Sequence, residues 1–202
     1  MKSPRQLVDA EGATTSRRIT DAALQLFFER GYSATSVREI ALASGLTPGA
    51  IYNHFDSKEA LLTHLVAGAH VELENVLTAG VAAGGDDPVA QLRELVRAHV
   101  IFHTRHRELA RIANQEIGSL PDPGRTQVVQ LRRRLRLLFN EVLERGVRAG
   151  VFDVPDIRIT GLAIINMGIR VADWYRPGGS LGDTDVADVH ALLALRMAGA
   201  DG

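Results

Sequence analysis

The stretch Thr47-Pro-Gly-Ala-Ile-Tyr-Asn-His-Phe55 gathers hydrogen-bonding side chains into a segment too short and too polar to build a core. Thr47 reads as a helix N-cap and Pro48 as the first helical residue, where a missing N–H costs nothing. With Gly49 and Ala50 they leave a small tip. Such a tip brings backbone N–H groups and the positive end of the helix dipole close to an anion. Ile51 and Phe55, four apart, form an inward stripe. Tyr52, Asn53 and His54 then face outward or sideways, as partners for phosphate oxygens. Lys58 is one of two lysines in the chain. It stands in the first turn of the next helix, a poor place for helix stability and a good one for a phosphate.

A second constellation is His99, His103 and His106, at i, i+4 and i+7 on one helical face, with Glu108 nearby. Imidazoles at that spacing can share a zinc ion. Without metal, the same face is polar pocket lining or a partly exposed helix side. A histidine-dependent metal protein or small helical enzyme is therefore the rival from another class. No G-x-S-x-G, phosphate-binding Walker loop or H-E-x-x-H occurs, so no catalytic set, resident metal or cofactor is assigned.

The elements that position these residues read as helices almost throughout. Ile19, Ala22, Ala23, Leu26 and Phe27 fall at the spacing of a buried stripe, and Gly31 reads as its C-cap. Ser36 and Glu39 form a capping box for a short helix that ends at Gly45. Asp56 or Ser57 caps a longer helix through Leu61, Leu62, Leu65 and Val66. Later helices are expected over Pro88–His106, Glu108–Gly118, Gly124–Ala149, Asp156–Tyr175 and Thr184–Ala198, separated by breaks rich in glycine, proline and aspartate. The fold class is all-α, with about nine helices and no segment that alternates as a strand. Two short helices joined by Ala43-Ser44-Gly45-Leu46 have helix-turn-helix geometry, whose second helix lies in a DNA major groove. A plain helical hairpin with a capped turn has the same local pattern.

Bulk properties constrain the rest. The chain has 202 residues, 46% of them apolar, with a formal net charge of −1. Any nucleic-acid contact must come from local placement, with Arg17, Arg18, Arg38 and Lys58 as the candidate cations. The absence of cysteine excludes disulfides and thiolate metal sites. No signal-peptide core and no run of about 18 apolar residues is present, so a cytoplasmic protein without a membrane span is expected.

The residues from Ala22 to Leu62 carry F-x-x-x-G-Y, T-S-V-R-x-I-A, G-x-x-x-G-x-I-Y-x-H-F and S-K-E-x-L in order. Over residues 14–64 the chain resembles the DNA-binding domain of TetR-type transcriptional repressors. The N-terminal residues 1–13 are expected to form a mobile arm, and the resemblance implies a three-helix helix-turn-helix domain (14–64) and a helical ligand-binding and dimerisation domain (65–202). It implies a homodimer on double-stranded operator DNA, released by a small-molecule ligand. It also implies base contacts from Thr47, Pro48 and Gly49, and phosphate contacts from Tyr52, His54 and Lys58. Thr35 and Ser36 match backbone-contact positions, and Asn53 falls at a variable one.

The second half must then supply dimer and sensor. Gly161 and Gly168, seven apart near Ile157, Ile164 and Ile165, and the stripe Val186, His190, Leu193 and Met197 suggest a four-helix interface between subunits, or else intrachain core. The phrase Trp174-Tyr-Arg-Pro-Gly-Gly179 resembles an element of a TetR subgroup that regulates fatty-acid, phenylacetate and sterol-ring degradation. That resemblance implies an acyl-CoA or related lipid-catabolic ligand; an unrelated small apolar ligand is the alternative. An acyl-CoA needs an apolar tunnel and cations for its phosphates. Phe102, Ile112, Leu138, Val142 and Met167 are candidate walls, with Arg105, Arg111, Arg170 and Arg176 as phosphate partners. Asn166 or Asn114 could meet the thioester carbonyl. His103 and Trp174 join Phe102, Asn166 and Arg170 as the expected ligand residues. Arg132, Arg133, Arg134 and Arg136 read as a solvated helix face.

Overall fold

The computed structural model describes residues 4–200, with side chains from residue 13 onward. Within them the chain is all-α: α1 Pro4–Arg30, α2 Val37–Ser44, α3 Pro48–Tyr52, α4 Lys58–Ala83, α5 Pro88–Arg105, α6 Arg107–Gln115, α7 Gly124–Arg148, α8 Ile157–Ile169, α9 Val171–Trp174 and α10 Asp183–Met197. A 3-10 turn, Glu116–Ser119, follows α6. Helix α9 is a single turn; counted with α8, it leaves the nine helices expected. Helix α1 begins upstream of where the arm over residues 1–13 was expected to end, and residues 1–3 lie outside the described residues. Apolar periodicity marks only the packed part of a helix. Upstream of Ile19, Pro4 at the first position and good helix formers such as Arg5, Gln6 and Leu7 favour a helical backbone that the apolar period of the sequence does not mark.

Local capping sets the reading-head elements. Ser36 accepts from the Glu39 N–H while the Glu39 carboxylate accepts from the Ser36 N–H, a closed capping box. Gly45 is left-handed (φ 66°, ψ 36°), and the N–H groups of Gly45 and Leu46 satisfy the last carbonyls of α2. Thr47 caps α3, with Pro48 in its first turn, and Ser57, not Asp56, caps α4.

Two apolar clusters hold the molecule. The first joins Ile19, Ala23 and Phe27 of α1, Ile40 of α2, Ile51 and Phe55 around α3, and Leu61, Leu62, Leu65 and Val66 of α4. It runs on into Ile112, Ala113, Leu120, Val128 and Leu131, so the expected boundary after residue 64 falls inside packed core. The second contains Leu73 and Leu77 of α4 together with Leu92, Leu95, Val96, Phe139, Leu143, Ile164, Ala187, Ala191 and Ala194. Helix α5 is its axis, packed by α4, α7, α8 and α10. No helix of the described residues is long and apolar enough to cross a membrane.

The glycine face of α8 turns out to be intrachain. A methyl group on Gly161 would strike the Asn140 amide, and one on Gly168 would strike the His99 ring. Ile164 is fully buried beside them, and Val186 of α10 is also core. The outward face lies elsewhere on the same helices, at Ile159 (67% exposed) and Leu162 of α8 and at Val189 (55%), Leu192, Leu193 and Met197 of α10. Each helix has two apolar faces, and periodicity alone does not say which one meets its own chain.

Leu62 is completely buried at the junction of α4 with the reading-head core. Leu62→Ala is expected to lower stability by about 2–5 kcal/mol, the range for a large-to-small core change. A denaturant titration followed by far-ultraviolet circular dichroism checks this.

Candidate nucleic-acid interface and ligand cavity

The five-residue α3 hangs on the core by one side. Ile51 and Phe55 are buried, while Thr47, Pro48, Gly49, Tyr52, Asn53 and His54 are exposed together on the other. Around the position of an added Cβ at Gly49 nothing lies within 4 Å, so the tip is open. This matches a helix end that meets a ligand backbone-first.

Three expected contact residues are engaged in hydrogen bonds within the fold. Thr35 is 2% exposed, and its hydroxyl is directed at the carbonyls of Gly31 (2.9 Å) and Leu26 (3.3 Å). Its N–H donates to the Tyr32 carbonyl at 3.2 Å. Thr35 therefore closes the α1–α2 turn and has no polar hydrogen left for a phosphate. Ser36 stays at the surface with its N–H and hydroxyl engaged by Glu39. Lys58 donates to the carbonyls of Tyr32 (3.0 Å) and Thr35 (2.9 Å), and its ammonium lies 4.2 Å from the Tyr32 ring centroid. Tyr32 in turn donates to Glu59 at 3.2 Å and packs edge-on against Phe27. Burial, then the Glu59 charge, pushes the Tyr32 phenol up to about 12. Lys58 thus clamps the start of α4 to the α1–α2 turn. Arg18 reaches the Ser44 carbonyl at the end of α2, and Arg17 pairs with Asp21 at 3.9 Å.

A cavity of about 190 Å³ lies among α4, α5, α6, α7 and α8. Of the expected ligand residues, Phe102, His103 and Asn166 line it, as does Asn114. Trp174 and Arg170 do not. Trp174 stacks on His190 (6.2 Å, 18°), Tyr175 enters the core, and Arg170 pairs with Asp173 at 3.1 Å. The Trp-Tyr-Arg-Pro phrase shapes the link from α9 to α10. Ile112, Leu138, Val142 and Met167 belong to the packed clusters rather than the wall. The expected phosphate partners are engaged: Arg105 with Asp183 at 2.7 Å, Arg111 with Asp173 at 3.8 Å, and Arg176 with backbone carbonyls. The arginines on the wall are Arg132 and Arg136, from the run read as solvated. They sit one turn apart at the edge of the Leu131–Leu135–Phe139 stripe of α7.

The histidine constellation is rearranged. Helix α5 ends at Arg105, so His106 turns outward, with Glu72 at 3.9 Å. Its place is taken by His70 of α4, beside His99 and His103 on the cavity wall. Among the described residues, no three His, Asp or Glu side chains are placed to hold a metal ion. Burial lowers the His103 imidazole to about 4 and holds His99 well below its ordinary value, with further repulsion from His103 and His190. Burial also lowers His70, opposed by its Val66 hydrogen bond. All three rings are neutral at neutral pH. Arg132 donates to the Asn114 side-chain oxygen at 2.5 Å and has no carboxylate within ion-pair distance among the described residues. His70 carried one signal in sequence: it interrupts the apolar stripe between Val66 and Leu73.

Helices α4 and α6 touch both cavity and reading head. Helix α4 contributes Ala69, His70, Leu73 and Leu77 to the wall, and begins with the Ser57-Lys58-Glu59 clamp. Helix α6 contributes Ala110, Ala113 and Asn114, while its Arg107 and Arg111 guanidinium groups lie 5.8 and 5.1 Å from the Phe28 ring of α1.

Comparison with known proteins agrees along the whole chain. The family model for bacterial regulatory proteins of the tetR family matches residues 19–65, and that for the tetracyclin repressor-like C-terminal domain matches residues 85–198. The HTH-type transcriptional repressor KstR2 of Rhodococcus jostii (strain RHA1) is 32% identical over 197 residues, 96% of either chain. A solved bacterial regulatory protein in the tetR family from Rhodococcus RHA1 superposes with a TM-score of 0.87 at 32% identity, covering 93% of this chain and 98% of that one. The ketosteroid transcriptional regulator KstR2 of Mycobacterium tuberculosis superposes with a TM-score of 0.82 at 27% identity, covering 92% and 95%.

Lys58→Met removes two charge-assisted hydrogen bonds and is expected to cost about 2 kcal/mol or more. Tyr52→Ala, at an exposed position, should change stability by no more than about 0.5 kcal/mol. Thermal melting of the two variants separates clamp from contact residue. For His103, the unfolded imidazole (about 6.5) takes up a proton before the folded one at about 4. Stability from burying it neutral is full above pH ~6.5 and is lost as pH falls toward ~4, by about 3 kcal/mol. Denaturant midpoints measured from pH 7 to 4.5 should fall accordingly, and His103→Leu should flatten the profile.

Proposed function

Because the chain belongs to the tetR family of bacterial regulatory proteins, which are DNA-binding transcriptional regulators and not enzymes, we propose that it is a cytoplasmic homodimeric repressor released from operator DNA by a lipid-derived small molecule. The observation that carries this reading is the cavity beside α4, a helix that starts in the reading-head cluster and runs on into the second apolar cluster.

Thr47, Pro48 and Gly49 approach base edges, while Tyr52, His54 and the N-terminus of α2 at Ser36 meet the phosphates. Asn53 lies between them, within reach of either. Lys58 acts indirectly, by fixing the α1–α2 turn against α4. The outward stripes of α8 and α10, around Ile159, Leu162, Val189 and Leu192, pair with those of a second subunit into a four-helix interface. The dimer sets the two α3 helices one DNA turn apart, about 34–36 Å. A ligand in the cavity displaces α4 at His70 and Leu73. Because α4 is one rigid rod clamped to the reading head at Lys58, its displacement changes the spacing of the two α3 helices and weakens binding. The ligand must favour one arrangement over the other by a few kcal/mol.

The ligand is largely apolar with a polar end, as the wall of Leu73, Leu77, Phe102, Leu135 and Phe139 beside His103, Asn114 and Arg132 requires. At about 190 Å³ the cavity is smaller than the ~300–1,000 Å³ of pockets that bury a drug-sized molecule. If the ligand is an acyl-CoA, the acyl part is enclosed and the nucleotide stays outside, past exposed Arg136 and Asn166. The name of the mycobacterial relative, a ketosteroid regulator, supports the lipid-catabolic class.

The test is binding of the purified chain to the DNA upstream of its own gene across a salt series, with and without a panel of acyl-CoAs and sterol-derived acids. Expected are sequence-selective binding whose affinity falls steeply with salt, as phosphate contacts demand, and release by one member of the panel. Selective binding with no release would remove the lipid class and leave the repressor; no selective binding at genome scale would remove the repressor itself.

A further inference from the structure

The three imidazoles on the cavity wall are not equivalent: hydrogen bonds assign the proton on two of them, and the lack of a partner assigns it on the third. Nδ1 of His70 lies 2.7 Å from the Val66 carbonyl, and Nδ1 of His103 lies 2.8 Å from the His99 carbonyl. A carbonyl only accepts, so both Nδ1 atoms carry the proton and both Nε2 atoms are bare acceptors. Neither Nε2 has a partner among the described residues, and neither is sealed from the cavity. His99 is the reverse. Its Nδ1 is buried against Gly168 with no hydrogen-bond partner, so an N–H there would have nothing to donate to. The proton sits on its Nε2, which is a donor.

The row continues. The His99 and His103 rings are 4.4 Å apart, and His70 and Arg132 line the same cavity. Arg132 uses one N–H on Asn114 and has further donors with no carboxylate to meet. The wall therefore offers two acceptors, one donor and a guanidinium. A saturated acyl chain would leave all of them dehydrated and unpaired. A ketone can accept from the donors but has no proton to offer the bare nitrogens of His70 and His103. A hydroxyl donates its one proton to a bare histidine nitrogen while accepting from a donor of the same wall.

Resting on the reading of this cavity as the effector site, we propose that its polar row selects a hydroxylated acyl ligand, whose hydroxyl bonds to the histidines while its carbonyl or carboxylate oxygen accepts from Arg132. The acyl group can arrive as a free hydroxy acid or as a thioester, since both present the same hydroxyl and carbonyl to this wall.

Calorimetry on the full chain with hexanoyl-, 3-hydroxyhexanoyl- and 3-oxohexanoyl-CoA and the matching free acids tests the assignment. The hydroxy member is expected to bind roughly tenfold or more tightly than the other two, because a site built to hydrogen-bond a hydroxyl rejects analogues lacking it. His103→Phe should erase that preference. Where this variant folds poorly, the wild-type imidazole ¹⁵N resonances serve instead: Nε2 of His70 and His103 unprotonated at neutral pH, and shifted by the hydroxy ligand alone. Preference within the thioesters only, or also within the free acids, identifies the source, and either supports the subsite. Equal affinity across the series, preference for the oxo member, no binding by any member, or unprotonated Nδ1 atoms would overturn it. DNA release is read separately: hydroxyl preference without release keeps the subsite and sinks the effector reading, while release by all members alike does the opposite.

Discussion

Helix α4 belongs to two apolar clusters at once, and the remaining architecture depends on that. Its first three turns are buried with α1, α2 and α3, and its later turns with α5 and α7. A rod buried at both ends cannot bend freely, because close-packed interiors rearrange between discrete packings rather than deform smoothly. Placing the cavity where the rod passes from one cluster to the other makes it the natural point at which a small molecule can act on the reading head. Helix α6 gives a second, parallel link, since its cavity-lining face and its Phe28-contacting face lie on one short helix.

The polar residues near the reading head divide by hydrogen-bond accounting. A lysine whose ammonium already meets two carbonyls and an aromatic face is a fastener. A threonine at 2% exposure with its hydroxyl and N–H both engaged is a turn lock. Among the described residues, Tyr52, Asn53 and His54 have no such commitments, and they face outward. The Ser57-Lys58-Glu59 element thus has a physical reason apart from DNA: serine caps α4, lysine and glutamate grip Tyr32.

The cavity reverses the expected use of arginine. The four arginines proposed for phosphates are held by Asp173, Asp183 or backbone carbonyls, whereas Arg132 and Arg136 face the cavity. Pairing depends on carboxylates distant in sequence: Arg105 and Asp183 are 78 residues apart. An arginine is free or occupied according to a neighbour that only folding supplies.

Sequence alone determined what is local. The caps at Ser36, Thr47 and Ser57, the left-handed turn at Gly45, the inward Ile51 and Phe55 and the all-α class follow from interactions within about four residues, which one helical turn contains. They define the reading head almost completely. Tertiary structure decided everything that requires a partner far along the chain: Lys58 as clamp, His70 replacing His106, Arg132 turned inward, and the glycine face of α8 packed on His99 and Asn140 instead of on a second subunit. The physical reason is that periodicity tells which residues share a face, but not what that face meets, and a polar group's role is set by whether something across the fold has already satisfied it.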